Sequence, residues 1–101
     1  MSDGATVYEV TMDVAPEQAA ALERYMRERH IPEILATRSF VSITFERASA
    51  TRFRTRYAGR TRTDVERYLV EHTGRFRADF ALHFPSGVVA TREVWEAVES
   101  W

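Results

Sequence analysis

The sequence predicts an α+β domain in which a four-stranded antiparallel sheet carries two helices on one face. Three observations predict it: segments that alternate apolar and polar residues, two segments with helical spacing, and their order β-α-β-β-α-β along 101 residues. A chain of this length accommodates one domain, residues 1–101 with a core over about 6–98, since folded chains this small bury roughly two thirds of their unfolded surface.

Thr6 to Val14 alternates, with Tyr8, Val10, Met12 and Val14 on one face and Glu9, Thr11 and Asp13 on the other, which predicts a half-buried strand. Pro16 presets a helical φ, Glu17 suits the positive first turn, and AAALERYMRE continues with good helix formers. Helix one is expected from about Pro16 to Arg29. Proline disfavours helical geometry in the residue before it, so Ile31-Pro32 is expected to close that helix and HIPEILATRS to form a connector.

Phe40 to Arg47 places Val41, Ile43 and Phe45 opposite Ser42, Thr44 and Glu46, and predicts strand two. Ala48-Ser49-Ala50 is short enough for a hairpin, after which Phe53, Thr55 and Tyr57 alternate with Arg52, Arg54 and Arg56 over Thr51 to Ala58. Gly59 ends that strand, and Thr63-Asp64-Val65-Glu66 has the form of a capping box at the start of helix two. The stripe Val65, Tyr68, Leu69, His72, Phe76, Phe80 and His83 predicts one continuous helix with Gly74 as a point of kinking. Pro85-Ser86-Gly87 is a turn, and Val88 to Val98 reads as the last strand.

Such an order folds in the ferredoxin-like manner. The sheet face away from the helices is then bare, with Phe40 and either Val94 or Trp95 expected on it. A second copy is the natural cover, which predicts a homodimer with two-fold symmetry.

Composition narrows the function classes. Hydrophobic residues make up 45% and charged residues 29%, an ordinary globular balance that argues against disorder. The net charge of -1 supplies no basic field to gather nucleic acid, so no nucleic-acid partner is expected. There is no cysteine, hence no disulfide framework, thiolate nucleophile or thiolate metal site, and the cytoplasm is the expected compartment. MSDGATVYEV lacks the basic and long apolar regions of a signal peptide, and no apolar run approaches bilayer length, so no membrane partner is expected.

Tyr8-x-Val10-Thr11, His30-Ile31-Pro32-Glu33, Leu35-Ala36-Thr37, Phe40, Tyr68 and Glu71-His72 together resemble domain-of-unknown-function family 4286, a set of small bacterial dimeric α/β-barrel proteins. The resemblance spans about Val7 to Glu96. It implies the dimeric α/β-barrel fold and no particular activity; related barrels acting as monooxygenases, cyclases and isomerases supply a fold-level analogy only. One departure is Arg38, where the family commonly carries glycine, a residue that adopts positive φ freely.

Three histidines are the first candidates for chemistry, because imidazole titrates nearest neutrality. His72 lies in the stripe of helix two and is expected to face the gap between helices and sheet, where it would be the principal acid or base. A core histidine bonded to a backbone carbonyl or to Tyr68 is the competing reading. His30 and Glu33 share the connector, and one helical turn there would set a carboxylate beside the ring; the competing reading has His30 meeting the last carbonyls of helix one. His83 is expected to cap helix two. Tyr68, Met26 and Phe76 are the expected ligand-binding residues.

No HxH or HxxxH spacing, haem motif, phosphate loop or nucleophile elbow occurs, so neither a metal nor a cofactor is expected. Arg52, Arg54 and Arg56 are expected to form an ion-pair ladder with Glu9, Asp13 and Glu46 at the dimer interface. Two functions fit: a cofactor-independent enzyme transferring protons on a small, largely apolar molecule as a cyclase, isomerase or monooxygenase-like protein, or a non-catalytic dimeric module that binds a small ligand or a protein.

Overall fold

Alternation of apolar and polar residues sets the sheet. In the computed structural model, which describes residues 6–101, the strands are β1 (Thr6–Val14), β2 (Ser42–Ser49), β3 (Arg52–Gly59) and β4 (Val88–Glu96). They form one antiparallel sheet in the order β2-β3-β1-β4. Tyr8, Met12 and Val14 of β1 and Phe53, Thr55 and Tyr57 of β3 are buried beneath the helices, as their period of two requires. The β1–β3 register opposes Tyr8 to Tyr57 and Met12 to Phe53, so that same-face side chains meet across the ladder.

The first helical segment differs from expectation. A 3₁₀ turn at Pro16–Gln18 leads into α1 (Ala19–Tyr25), then a π turn (Met26–His30), then α2 (Ile31–Leu35). Helix therefore continues through Pro32 to Leu35, beyond the expected end near Arg29. Proline's ring collides with the carbonyl four residues back in a regular α-helix. Here the backbone widens first: the Ile31 N–H bonds the Met26 carbonyl five residues back, and His30 and Ile31 keep helical angles. The connector shrinks to the turn after Leu35, where Arg38 adopts φ 62°.

Helix two also differs. It is capped by Thr61, whose backbone is extended and whose hydroxyl oxygen accepts the Asp64 N–H at 3.1 Å, and not by Thr63. Glu66 turns to Arg62, at 3.0 Å, and closes no capping box. The helix is divided into α3 (Arg62–Glu71) and α4 (Thr73–His83) at His72, whose φ of -122° breaks the helical run two residues before Gly74. Gly59 allows the close approach of β3 to α3: a β-carbon there would lie 2.5 Å from Val65 Cγ2.

The core occupies the space between sheet and helices in two clusters, one around Tyr8, Ile34, Tyr57 and Tyr68, the other around Met12, Leu22, Met26 and Phe53. Phe40, expected on the bare face, is instead buried at 5% exposure against Tyr57 and Tyr68. It precedes β2, so strand alternation does not set its direction. On β4, Val94 pairs with the inward Tyr8, whereas Trp95 pairs with Val7 on the bare face and donates its indole N–H to Glu9 at 2.6 Å. No helix among the described residues is long and apolar enough to cross a membrane.

Candidate functional site

Inward-facing side chains at the β1–β4 side of the sheet do not fill the space under the helices. A cavity of about 60 Å³ remains there. Its floor is Tyr8, Val10 and Met12 from β1, Tyr57 from β3, and Ala90 and Arg92 from β4. One wall is Met26, His30 and Ile34 from the first helical segment, and the other is Tyr68 with Thr73, Phe76, Arg77 and Phe80 from the second.

His30 is the one histidine in this lining. The π turn points it inward, among the rings of Tyr25, Phe76 and Phe80 at centroid distances of 5.5, 6.1 and 5.7 Å. Its Nδ1 is buried and has no hydrogen-bond partner among the described residues. Burial pushes its pKa down to about 4, against a smaller opposing pull from the Asp79 carboxylate. The imidazole is therefore neutral at pH 7, with one lone pair and one N–H, the two functions that proton transfer uses.

Polar groups converge on the same space. Arg77 Nη2 donates to the Tyr8 hydroxyl at 3.3 Å. Tyr57 and Tyr68 are held in their phenol forms by burial, which raises both above the usual phenol range. Beside His30 the two helical segments are tied by Asp79, whose carboxylate accepts from Tyr25 at 2.6 Å and from Arg29 at 3.0 and 3.1 Å.

The structure brings His30, Tyr68, Met26 and Phe76 together around the cavity and leaves His72 and Glu33 outside it. At the break between α3 and α4, His72 rotates out of the stripe that an unbroken helix would have formed. Its Nδ1 lies 2.8 Å from Arg75 Nη1, and because a guanidinium only donates, that nitrogen accepts. Glu33 is exposed and lies 3.7 Å from Arg29, so it does not adjoin the His30 ring as expected. His83 bonds the Asp79 carbonyl at 2.9 Å, the capping contact expected of it.

Sequence reasoning missed Arg77 and Arg92. Arg92 had a signal: β4 alternates Val88, Ala90, Arg92 and Val94 on its inward face, and a charge at an inward position marks a polar lining. Arg77 follows the buried Phe76 and carried none.

On the bare face the arginine ladder forms within the chain. Arg52 bonds both Asp13 oxygens at 2.8 and 2.9 Å, and Arg54 lies 2.7 Å from Glu46 and 3.3 Å from Glu9. Arg56 has no carboxylate within 4 Å among the described residues. No group of three or more His, Asp or Glu among those residues is gathered to hold a metal.

A family model described as "Domain of unknown function (DUF4286)" matches residues 5–98. No curated protein matches the sequence. Among solved structures, the chain is similar to the NE2512 protein of unknown function from Nitrosomonas europaea, at 16% identity and a TM-score of 0.73 over 97% of this chain and 93% of that one. It is similar to a monooxygenase from the gene ActVA-Orf6 of Streptomyces coelicolor, solved with Nanaomycin D, at 14% identity and a TM-score of 0.72 over 97% and 91%. SnoaB, a cofactor-independent oxygenase from Streptomyces nogalater, matches at 15% identity and a TM-score of 0.66 over 97% of both chains. At these identities the likeness is one of fold.

Proposed function

The chain belongs to the family described as domain of unknown function 4286, and from that premise we propose that it is a cofactor-independent enzyme that transfers protons on a small, largely apolar molecule. The observation that carries the proposal is His30, an imidazole lining the cavity with a buried nitrogen that has no hydrogen-bond partner among the described residues. A fold that spends a half-buried histidine among aromatic rings gains no stability from it, since burial without a partner costs about 1–3 kcal/mol. The fold-level likeness to proteins described as a cofactor-independent oxygenase and a monooxygenase supports the same class.

In this reading His30 takes a proton from an activated O–H or C–H, and the electron pair stays on the ligand as a phenolate or enolate. Reprotonation at another atom is isomerisation, attack on an internal electrophile is cyclisation, and electron transfer to dioxygen as co-reactant opens monooxygenation. Met26 and Phe76 supply apolar contact, Tyr68 a phenol donor, and Tyr8 with Arg77 hydrogen bonds to the developing oxyanion. The proposed state is a cytoplasmic homodimer joined through the bare sheet face, where Val7, Val89 and Trp95 interrupt the charged ladder.

Deuterium exchange into a panel of phenols and enolisable aryl ketones, followed by proton NMR, tests this. Wild-type protein is expected to accelerate exchange of at least one compound, and His30→Phe to slow it by ~10²-fold or more. Acceleration that survives His30→Phe refutes the role. One observation favours the second reading, a non-catalytic module: 60 Å³ encloses only a few non-hydrogen atoms, well short of the ~300 Å³ of ordinary ligand pockets.

A further inference from the structure

We propose that the cavity receives the anionic oxygen head of its ligand, a carboxylate or an ionised phenol or enol, between Arg77 and Arg92, with the rest of the molecule outside. This rests on the reading of the cavity as the ligand site and adds the chemical class of what enters it.

Charge distribution is the first argument. The lining holds two guanidinium groups, Arg77 and Arg92, and no carboxylate. Of the twelve other arginines, all among the described residues, seven are ion-paired, Arg29 with Asp79, Arg47 with Glu23, Arg52 with Asp13 and Arg54 with Glu9 and Glu46 among them, whereas an unpaired one outside the lining, Arg56, stands on the bare face of the sheet. Among the described residues no carboxylate lies within 4 Å of Arg77 or Arg92. Arg77 and Arg92 are both exposed at the edge of this one cavity, and two unpaired guanidinium groups there raise the local positive potential that draws an anion.

Position is the second. Arg92 stands on the inward face of β4 opposite Val10, where its neighbours Val88, Ala90 and Val94 are apolar. Arg77 comes from the facing helix and already donates to the Tyr8 hydroxyl at 3.3 Å, which shows that its guanidinium reaches the floor of the cavity. The two therefore approach one space from the sheet and from the helix layer. Planar guanidinium forks match the two oxygens of a carboxylate, and the Tyr8 hydroxyl, bonded to one of them, adds a third donor.

Size is the third. A volume of 60 Å³ takes a head group and not a whole aromatic molecule. An anionic head seated there would lie beside a histidine that the fold keeps neutral. Where the ligand arrives as the neutral O–H acid, proton transfer to that imidazole would leave an anion beside an imidazolium, and the two guanidinium groups would stabilise the anion.

Benzoate and its neutral isostere benzamide test the proposal, titrated into ¹⁵N-labelled protein while the Nε–Hε signals of Arg77 and Arg92 and the ring signals of His30 and Tyr8 are followed. Benzoate is expected to shift all of these at least tenfold more tightly than benzamide, and the Arg77→Gln/Arg92→Gln double variant to remove that preference. Equal binding of both probes at the His30 and Tyr8 signals, unchanged in the double variant, overturns the anion assignment and leaves the cavity as a ligand site. Benzoate shifts confined to the Arg52–Arg56 face also overturn the assignment. If neither probe moves any cavity signal, the anion assignment fails together with the reading of the cavity on which it rests.

Discussion

The Tyr25 hydroxyl donates to Asp79 Oδ2 across 2.6 Å, and this bond joins the first helical segment to the second directly beside His30. The same carboxylate takes two hydrogens from Arg29, so a residue that the sequence marks only as polar becomes the clasp of the helical layer. The Tyr25 bond is also the main reason that Asp79 titrates below its ordinary value of 3.8.

Tyr25→Phe keeps the ring and removes the donor. We expect the melting temperature to fall by a few degrees and the Asp79 titration, followed by carboxyl ¹³C shifts, to move up towards 3.8. The clasp is fully formed above the unfolded-state carboxylate pKa and weakens as acid takes the pH below the folded one. An unmoved Asp79 titration would show that Arg29 alone sets it.

His30 gives a second dependence on pH. Its folded pKa of about 4 lies below the ordinary 6.5, so between these values the unfolded chain binds the proton and the folded chain does not. Stability therefore falls as pH drops from 6.5 to 4, by roughly 3 kcal/mol at about 1.36 kcal/mol per pH unit of difference. Urea unfolding at pH 7, 6, 5 and 4.5 measures the slope, and His30→Phe should flatten it.

Arg38 holds φ at 62°, a left-handed conformation that costs an L-residue with a β-carbon ~1–2 kcal/mol. Glycine removes that cost and returns part of it through the greater freedom of the unfolded chain. Arg38→Gly is expected to raise stability by about 0.5–1 kcal/mol in denaturant melts. A loss of stability would mean that the arginine side chain does more for the turn than its exposure suggests.

Capping separates two threonines. Thr61→Ala removes the acceptor of the Asp64 N–H and should cost about 1 kcal/mol, whereas Thr63→Ala, inside the first turn, should cost only a few tenths. Chemical denaturation of the two variants ranks them, and the reverse order would return the cap to Thr63.

Light scattering tests the proposed dimer, which has about twice the 11.7 kDa of one chain. Arg54 bridges Glu9 and Glu46, so Arg54→Ala should release both carboxylates on the face taken to pair and weaken association. A clean monomer at micromolar concentration would remove the dimer from the proposal.

The strands were legible in the sequence because alternation decides which side chains face the helices, and Tyr8, Met12, Phe53 and Tyr57 follow it. Helix ends were less legible. The rule that proline ends a helix is local, and at Pro32 a widened turn upstream satisfies the geometry that the rule assumes is lost. The stripe that turns His72 inward assumes an unbroken helix, and the backbone break at that residue turns it out of the cavity. His30 was legible as a candidate from its residue type, but its direction depends on the π turn, which has no compositional signature. Arg92 is legible only when β4 is divided into its two faces, because the strand as a whole is mixed in polarity.

The π turn also has an arithmetic consequence. Leu22, Met26, His30 and Ile34 recur at strict intervals of four, and over those twelve residues an ideal α-helix drifts by about 120° around its axis. Ile34 would then point well away from Leu22. It is nevertheless 1% exposed and Leu22 is 0% exposed, because the wider turn between them absorbs residues without advancing the phase as far. The helix thus carries about one residue more than its length needs, and deleting any one of residues 27–29 would leave a regular α-helix in which Ile34, then eleven residues after Leu22, stands only about 20° from it. In that shortened chain Ile34 would keep its place in the core while the ring of Pro32 would meet the carbonyl four residues back, so the surplus residue gives room to the proline without moving the wall of the cavity.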